Sequence, residues 1–98
     1  ILDQIRAADK DIEVILVASM LGNGEWTATP RDMFPKYRDE LKKLTGAGVA
    51  LADVTAVWEL MLKNKHDFDL TGNGLNHPND FGHRLYAQAI LSVLNERK

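Results

Sequence analysis

The run "EVILVAS", Glu13 to Ser19, is apolar and largely β-branched between its two polar ends. Such a run is typical of a strand that is buried on both faces, as in a parallel sheet. A second run, "VALADV" from Val49 to Val54, has the same character. Because two strands make a poor sheet by themselves, both are expected to have further neighbours.

Helical patterns surround the two predicted strands. A helix end is predicted from Ile1 to about Ala8, a helix over "DMFPKYRDELKKL", Asp32 to Leu44, and another over Thr55 to Lys65. The last helix is predicted to begin near Asn79 or Asp80. The side chains predicted to face inward are Phe34, Tyr37, Leu41 and Leu44 on the second helix, and Phe81, Leu85, Ala89, Ile90, Val93 and Leu94 on the last. This alternation predicts an α/β fold with a parallel sheet covered by helices.

Composition excludes several classes of protein. Of the 98 residues, 45% are apolar and 27% are charged, and the net charge is −2, so no basic stripe predicts a nucleic-acid partner. The longest apolar run, Val14 to Ala18, is far shorter than the roughly 20 residues of a membrane span. The absence of cysteine excludes a disulfide scaffold and a thiolate nucleophile. No cofactor is predicted, and the composition fixes no compartment.

The first residues read as the middle of a helix. Ile1, Ile5 and Ala8 lie roughly on one helical face, and no capping residue precedes them. Together with the two strands that lack neighbours, this predicts that residues 1–98 are the C-terminal half of a single longer domain. The remainder of that domain is then an expected partner.

The segment "DFDLTGNGLNHPNDFGH", Asp67 to His83, contains most of the polar chemistry of the chain. It superficially matches a calcium loop, but the twelfth position counted from Asp67 is Pro78, where a calcium loop needs a bidentate Glu. The spacing of the histidines also matches no transition-metal pattern. No metal site is therefore expected, and Gly72 to Gly74 are interpreted as turn residues with positive φ.

His77 directly precedes Pro78. The proline disfavours a helical conformation for His77, so the histidine is held extended at a junction between loop and helix. A catalytic base needs such fixed placement. A histidine that only caps the helix or hydrogen-bonds the loop would satisfy the same pattern.

The segment "NHPNDFGHRLYAQAI", Asn76 to Ile90, resembles the last sequence block of the SGNH hydrolases, also called GDSL esterases and lipases. That block usually reads Asp-x-x-His-Pro-Asn, followed by Gly-His and an amphipathic helix. "YRDELKKL" followed by "GVALADV" also resembles the preceding part of the family, so the resemblance covers essentially the whole chain. It implies a flavodoxin-like three-layer αβα sandwich and hydrolysis of esters, such as O-acyl groups on carbohydrate, by a Ser-His-Asp triad. His77 would be the general base, and Gly82 would allow close helix packing.

The chain departs from this family pattern at the nucleophile. The family's serine block is absent, and the two serines, Ser19 and Ser92, lie at a strand end and in the last helix. Both are interpreted as structural. The 98 residues alone are therefore expected to be inactive.

A second departure concerns the triad acid. The family's acid is three residues before the histidine, where this chain has Gly74. Asn73 and Asp69 are equally weighted candidates for that role, and Asp53 is a third, although a helix cap explains Asp53 better. A Ser-His dyad without any acid also remains open.

The loop after the first strand is a candidate substrate wall, because ligands of parallel sheets bind at the carboxyl ends of the strands. Asn23 and Trp26 lie in this loop and are predicted to contact a small-molecule or carbohydrate ester. A loop Trp that anchors packing is the alternative for Trp26, and Trp58 is predicted to belong to the core. For the whole chain, the alternative function is a non-catalytic binding or structural remnant of the same fold.

Overall fold

The computed structural model describes residues 1–95. Residues 96–98, which were predicted to belong to the same domain, lie outside the described part. Its elements are α1 (Leu2–Ala8), β1 (Val14–Ala18), α2 (Met33–Lys42), β2 (Val49–Asp53), α3 (Val54–Met61), α4 (Asp67–Leu70) and α5 (Asp80–Leu94). The strands β1 and β2 pair in parallel, with Val14 opposite Val49 and Ala18 opposite Asp53. The predicted mixed α/β fold with a parallel sheet is therefore present. Among residues 1–95, no helix is long and apolar enough to cross a membrane.

The two strands are not buried along their length, which corrects the prediction of burial on both faces. Ala18 and Ala52 are fully buried, but Val17 is 40% exposed and Val14 is half-buried. The sheet contains two strands within the described residues, so the outer edge of β1 is open along its length. Apolar side chains of β1, such as Val17, are therefore only partly covered by the other described residues.

The core lies at the carboxyl ends of the strands rather than around their middles. Its buried members are Met20, Leu21, Val54, Trp58, Leu70 and Leu85. The ring of Trp58 meets Tyr86 edge to face, with 6.0 Å between the centroids. The Met20 amide donates a hydrogen bond of 2.8 Å to the Tyr86 hydroxyl. Burial raises the pKa of the Tyr86 hydroxyl above its ordinary value, and the hydrogen bond from Met20 opposes this shift.

Helix α5 packs against the core through Gly82. A Cβ atom at Gly82 would lie 2.6 Å from the Leu70 carbonyl oxygen and 2.8 Å from both Pro78 Cβ and Trp58 Cη2. Only glycine fits this approach, as the sequence predicted. Gly82 and Leu85 therefore define the buried stripe of α5.

This stripe corrects the predicted inner faces of two helices. Phe81 is 40% exposed and Leu94 is 63% exposed, whereas Leu85 is buried and Ala89, Ile90 and Val93 are half-buried, as predicted. On α2, Tyr37 is 60% exposed, and Leu44, which lies beyond the helix end, is 52% exposed. Phe34 and Leu41 on α2 are half-buried, so on each helix part of the predicted inner face is confirmed and the residues at its margins are exposed.

Two further boundaries differ from the sequence prediction. Helix α3 ends at Met61 rather than Lys65, and the predicted loop after it contains the short helix α4. Asp53 caps α3 by accepting a hydrogen bond of 2.9 Å from the Ala56 amide, which agrees with its interpretation as a helix cap. The Thr55 hydroxyl donates to the Ser19 carbonyl oxygen at 2.6 Å, which joins α3 to the end of β1.

The substitution Gly82→Ala is expected to lower the free energy of unfolding by about 1–3 kcal/mol, because the added methyl group overpacks the contact with Trp58 and the Leu70 carbonyl. Gly46→Ala is the matched control, since a Cβ at Gly46 meets nothing within 4 Å. Urea unfolding of both variants measures the difference. Equal stability of the two variants would contradict the close approach at Gly82.

Candidate active site

The turn between α4 and α5, residues 71–79, is folded back on itself. Thr71 and Pro78 form an antiparallel bridge, and the Gly72 amide donates to the His77 carbonyl oxygen at 2.9 Å. The Asn79 amide donates to the Leu70 carbonyl oxygen at 3.0 Å. The Asn79 side chain accepts from the Gly82 amide at 2.9 Å and so caps α5. His77 therefore lies in a turn whose two ends are both fixed.

Asn73 is the centre of this turn. Its Oδ1 accepts three backbone hydrogen bonds, from the amides of Leu75 at 2.9 Å, Asn76 at 3.0 Å and His77 at 3.1 Å. Gly74 has a φ of +75°, as predicted, but Gly72 and Asn73 do not have the positive φ that was predicted for them. The side-chain oxygen of Asn73 is therefore directed at the backbone rather than at the imidazole.

The imidazole of His77 is exposed, and its Nδ1 is the atom that the turn holds. Nδ1 lies 2.7 Å from Asn76 Oδ1 and 3.0 Å from Asn73 Nδ2. Of the predicted partners, the structure thus brings Asn73 to His77. The structure also brings Asn76 to His77. This contact was not predicted, because the acid was expected three or more residues before the histidine. The only local signal was the amide side chain of Asn76, directly before the candidate base.

Asp69, the other predicted partner, has a different contact. Its carboxylate accepts a hydrogen bond of 2.8 Å from the His66 amide at the start of α4. Within residues 1–95, no hydrogen bond joins Asp69 to His77. His66 is the exposed N-cap residue of α4, and its ring stacks on Phe68 with 5.1 Å between the centroids. The carboxylate of Asp69 therefore stabilises the first turn of α4.

Asp53 and the Ser92 hydroxyl also make hydrogen bonds elsewhere. Asp53 caps α3 and lies 3.2 Å from Arg38 Nη1. Hydrogen bonding to Asp39, with attraction to Asp53 as a smaller cause, raises the pKa of the Arg38 guanidinium. The Ser92 hydroxyl donates to a carbonyl oxygen of its own helix, and within residues 1–95 neither serine hydrogen-bonds to His77. No carboxylate or serine of the described residues completes a triad.

Asn23 braces the turn from the loop that follows β1. It is only 3% exposed, and its Nδ2 donates to the Gly74 carbonyl oxygen at 2.9 Å. Its backbone amide donates to the Leu75 carbonyl oxygen at 2.8 Å, and its Oδ1 accepts from the Glu25 amide at 2.9 Å. These bonds occupy both polar groups of the side chain, so in this structure Asn23 positions the turn. Trp26, the other predicted wall residue, is half-buried in the same loop.

A second brace joins the same loop to α4. Arg31 Nε donates to the Gly22 carbonyl oxygen at 3.0 Å, and its Nη2 binds the carboxylate of Asp67. Asp67 is a buried charge, which is costly unless it is paired, and Arg31 provides the pairing. This ion pair was not predicted, because no local sequence pattern connects residues that are 36 positions apart.

The turn holds its histidine with amides rather than with charges. Among residues 1–95, no group of three or more histidine, aspartate or glutamate side chains is placed to hold a metal ion. Two open cavities lie elsewhere, one along the amino ends of the strands and one between α1 and Leu41, and His77 lines neither. The His77 ring is therefore exposed at the protein surface and lies outside both cavities.

Comparisons of the chain with protein-family models, with curated proteins and with solved structures found no match. A functional assignment therefore depends on the geometry of the turn that carries His77.

The substitution Asn23→Ala is expected to cost about 1–3 kcal/mol of unfolding free energy, because the Gly74 carbonyl and the Glu25 amide lose their partner. It should also change the NMR resonances of His77, because Asn23 bonds the backbone of Gly74 and Leu75, just before His77 in the turn. Asn64→Ala is the matched control, since Asn64 is exposed. Urea unfolding followed by a two-dimensional NMR spectrum checks both effects. A variant as stable as the control would show that Asn23 is not a brace.

Proposed function

We propose that this chain belongs to an ester hydrolase of the SGNH type and supplies its general base, His77. The fold proposed for the complete domain is a flavodoxin-like three-layer αβα sandwich, in which residues 1–98 form the C-terminal half. The resemblance of "NHPNDFGH" to the family's last block supports this proposal. The open edge of β1 and its partly covered apolar side chains are consistent with it.

One observation carries the catalytic part of the proposal. The His77 ring is exposed and is hydrogen-bonded through Nδ1, in a turn that both of its ends fix. A base of this kind needs one nitrogen held and the other accessible to substrate. The turn is also bonded to the loop that follows β1, at the carboxyl edge of the sheet, where parallel sheets bind their ligands.

In the proposed reaction, the nucleophile is a serine that these 98 residues do not include. His77 Nε2 takes the proton from the serine hydroxyl as its oxygen attacks the ester carbonyl. The same nitrogen then returns the proton to the alkoxide that leaves. Trp26, half-buried in the adjacent loop, is proposed to line the pocket for the acyl or sugar part of the substrate.

A second candidate function is a non-catalytic remnant of the same fold. It is favoured by one observation, which is that no carboxylate of residues 1–95 hydrogen-bonds to His77. In that case the amide cluster is only a well-formed turn that begins α5.

The test is hydrolysis of p-nitrophenyl acetate by the protein in its full natural length. His77→Gln is expected to lower kcat by roughly 10²–10⁴-fold, because general base catalysis is lost. His83→Gln is the matched control and should retain activity, since the exposed His83 ring contacts only a helix carbonyl oxygen among the described residues. Full activity of His77→Gln, or no hydrolysis by the native protein, would favour the non-catalytic remnant.

A further inference from the structure

Three amide and imidazole groups in the turn constrain one another. Asn73 cannot reverse its side-chain amide, because Oδ1 accepts three backbone hydrogen bonds that Nδ2 could not replace. Its Nδ2 must therefore be the group that faces Asn76 and His77. That NH₂ lies 2.9 Å from Asn76 Oδ1 and donates to it.

This contact in turn fixes the amide of Asn76. Reversal of the Asn76 amide would place two NH₂ groups, each only a donor, at hydrogen-bonding distance. Asn76 therefore presents its oxygen to His77 Nδ1, at 2.7 Å. An oxygen and an unprotonated ring nitrogen would repel each other at that distance, whereas an N–H donor makes a short hydrogen bond there.

We propose that Asn76 is the positioning residue for His77 and that, with Asn73 behind it, it holds the neutral imidazole as the Nδ1–H tautomer. The longer contact, 3.0 Å from Asn73 Nδ2 to His77 Nδ1, would be a hydrogen bond only in the opposite tautomer. The shorter contact, from Asn76 Oδ1, favours the Nδ1–H tautomer over the Nε2–H tautomer. Nε2 then has a free lone pair and is exposed to solvent.

This arrangement performs one of the two tasks of a triad acid. An aspartate both fixes the tautomer and stabilises the imidazolium by its charge. In serine proteases, replacing it by asparagine lowers turnover about 10⁴-fold because the wrong tautomer results. Here Asn73 prevents that outcome by fixing which end of the Asn76 amide faces the ring. The tautomer of His77 is therefore fixed, but no negative charge stabilises its imidazolium.

The catalytic meaning of this inference rests on the proposed function, but the tautomer can be measured without substrate. The experiment is a long-range ¹H–¹⁵N correlation spectrum of the full-length protein with labelled histidine, at a pH where the ring is neutral. The His77 signals are assigned by their loss in His77→Gln. The native protein is expected to show Nδ1–H, and Asn76→Ala should populate Nε2–H with an unchanged circular dichroism spectrum. Asn64→Ala is the control and should leave the tautomer unchanged.

Asn76→Asp provides a second measurement if Asn76→Ala fails to fold. The carboxylate should keep the Nδ1–H tautomer and add the missing charge. Because the charge favours the imidazolium, the acidic limb of the pH profile of kcat/KM should move to higher pH.

Four outcomes separate the claims. Nε2–H in the native protein, or an Asn76→Ala variant that folds and keeps Nδ1–H, would overturn the role of Asn76 even if the protein hydrolyses esters. An unmoved pH limb in Asn76→Asp would also overturn it. Nδ1–H in a native protein without esterase activity would support the role of Asn76 and contradict the proposed function instead.

Discussion

The missing side chain at Gly82 is the constraint on which the geometry of the site depends. It lets α5 approach the indole of Trp58 and the carbonyl oxygen of Leu70 at distances where a Cβ would lie within 2.8 Å of both. This contact places the first turn of α5 against the core and therefore sets where the preceding turn begins and ends. The stabilisation from the buried Trp58 ring has a cost, because its Nε1 has no hydrogen-bond partner within residues 1–95.

The candidate site is held from two directions. From one side, Asn79 joins the turn to Leu70 and to the amino end of α5. From the other side, Asn23 bonds the backbone of Gly74 and Leu75 to the loop that follows β1. The position of His77 relative to the sheet therefore depends on bonds to several elements, although the ring itself is exposed.

Local signals in the sequence were sufficient for much of the fold. The β-branched run around Val14–Ala18 predicted its strand to within one residue at each end, and the predicted start of the last helix, near Asn79 or Asp80, is confirmed. Trp58 was expected in the core because leucines surround it, and the resemblance to the SGNH block implied close packing at Gly82. These predictions succeeded because each depends on residues that are close along the chain.

The remaining features depend on tertiary geometry that no local pattern encodes. The pair Arg31 and Asp67 requires a loop and a helix to meet across 36 positions. The exposure of Phe81 depends on which residue of α5 makes the closest approach to the core. The role of Asn76 depends on the direction of one amide, which is fixed only once the Asn73 oxygen has folded the backbone around itself. The resemblance to the SGNH block points instead to the position three residues before His77, which is Gly74.

We expect the turn that holds His77 to be formed in the free protein. Hydrogen exchange of the backbone amides at Gly72, His77 and Asn79 tests it most directly, because all three are donors within the turn or to its base. The structure predicts exchange at least ~10²-fold slower than in an unstructured peptide for these amides. Exchange at the unstructured rate would show that the turn is open in the free protein and would contradict a preformed site.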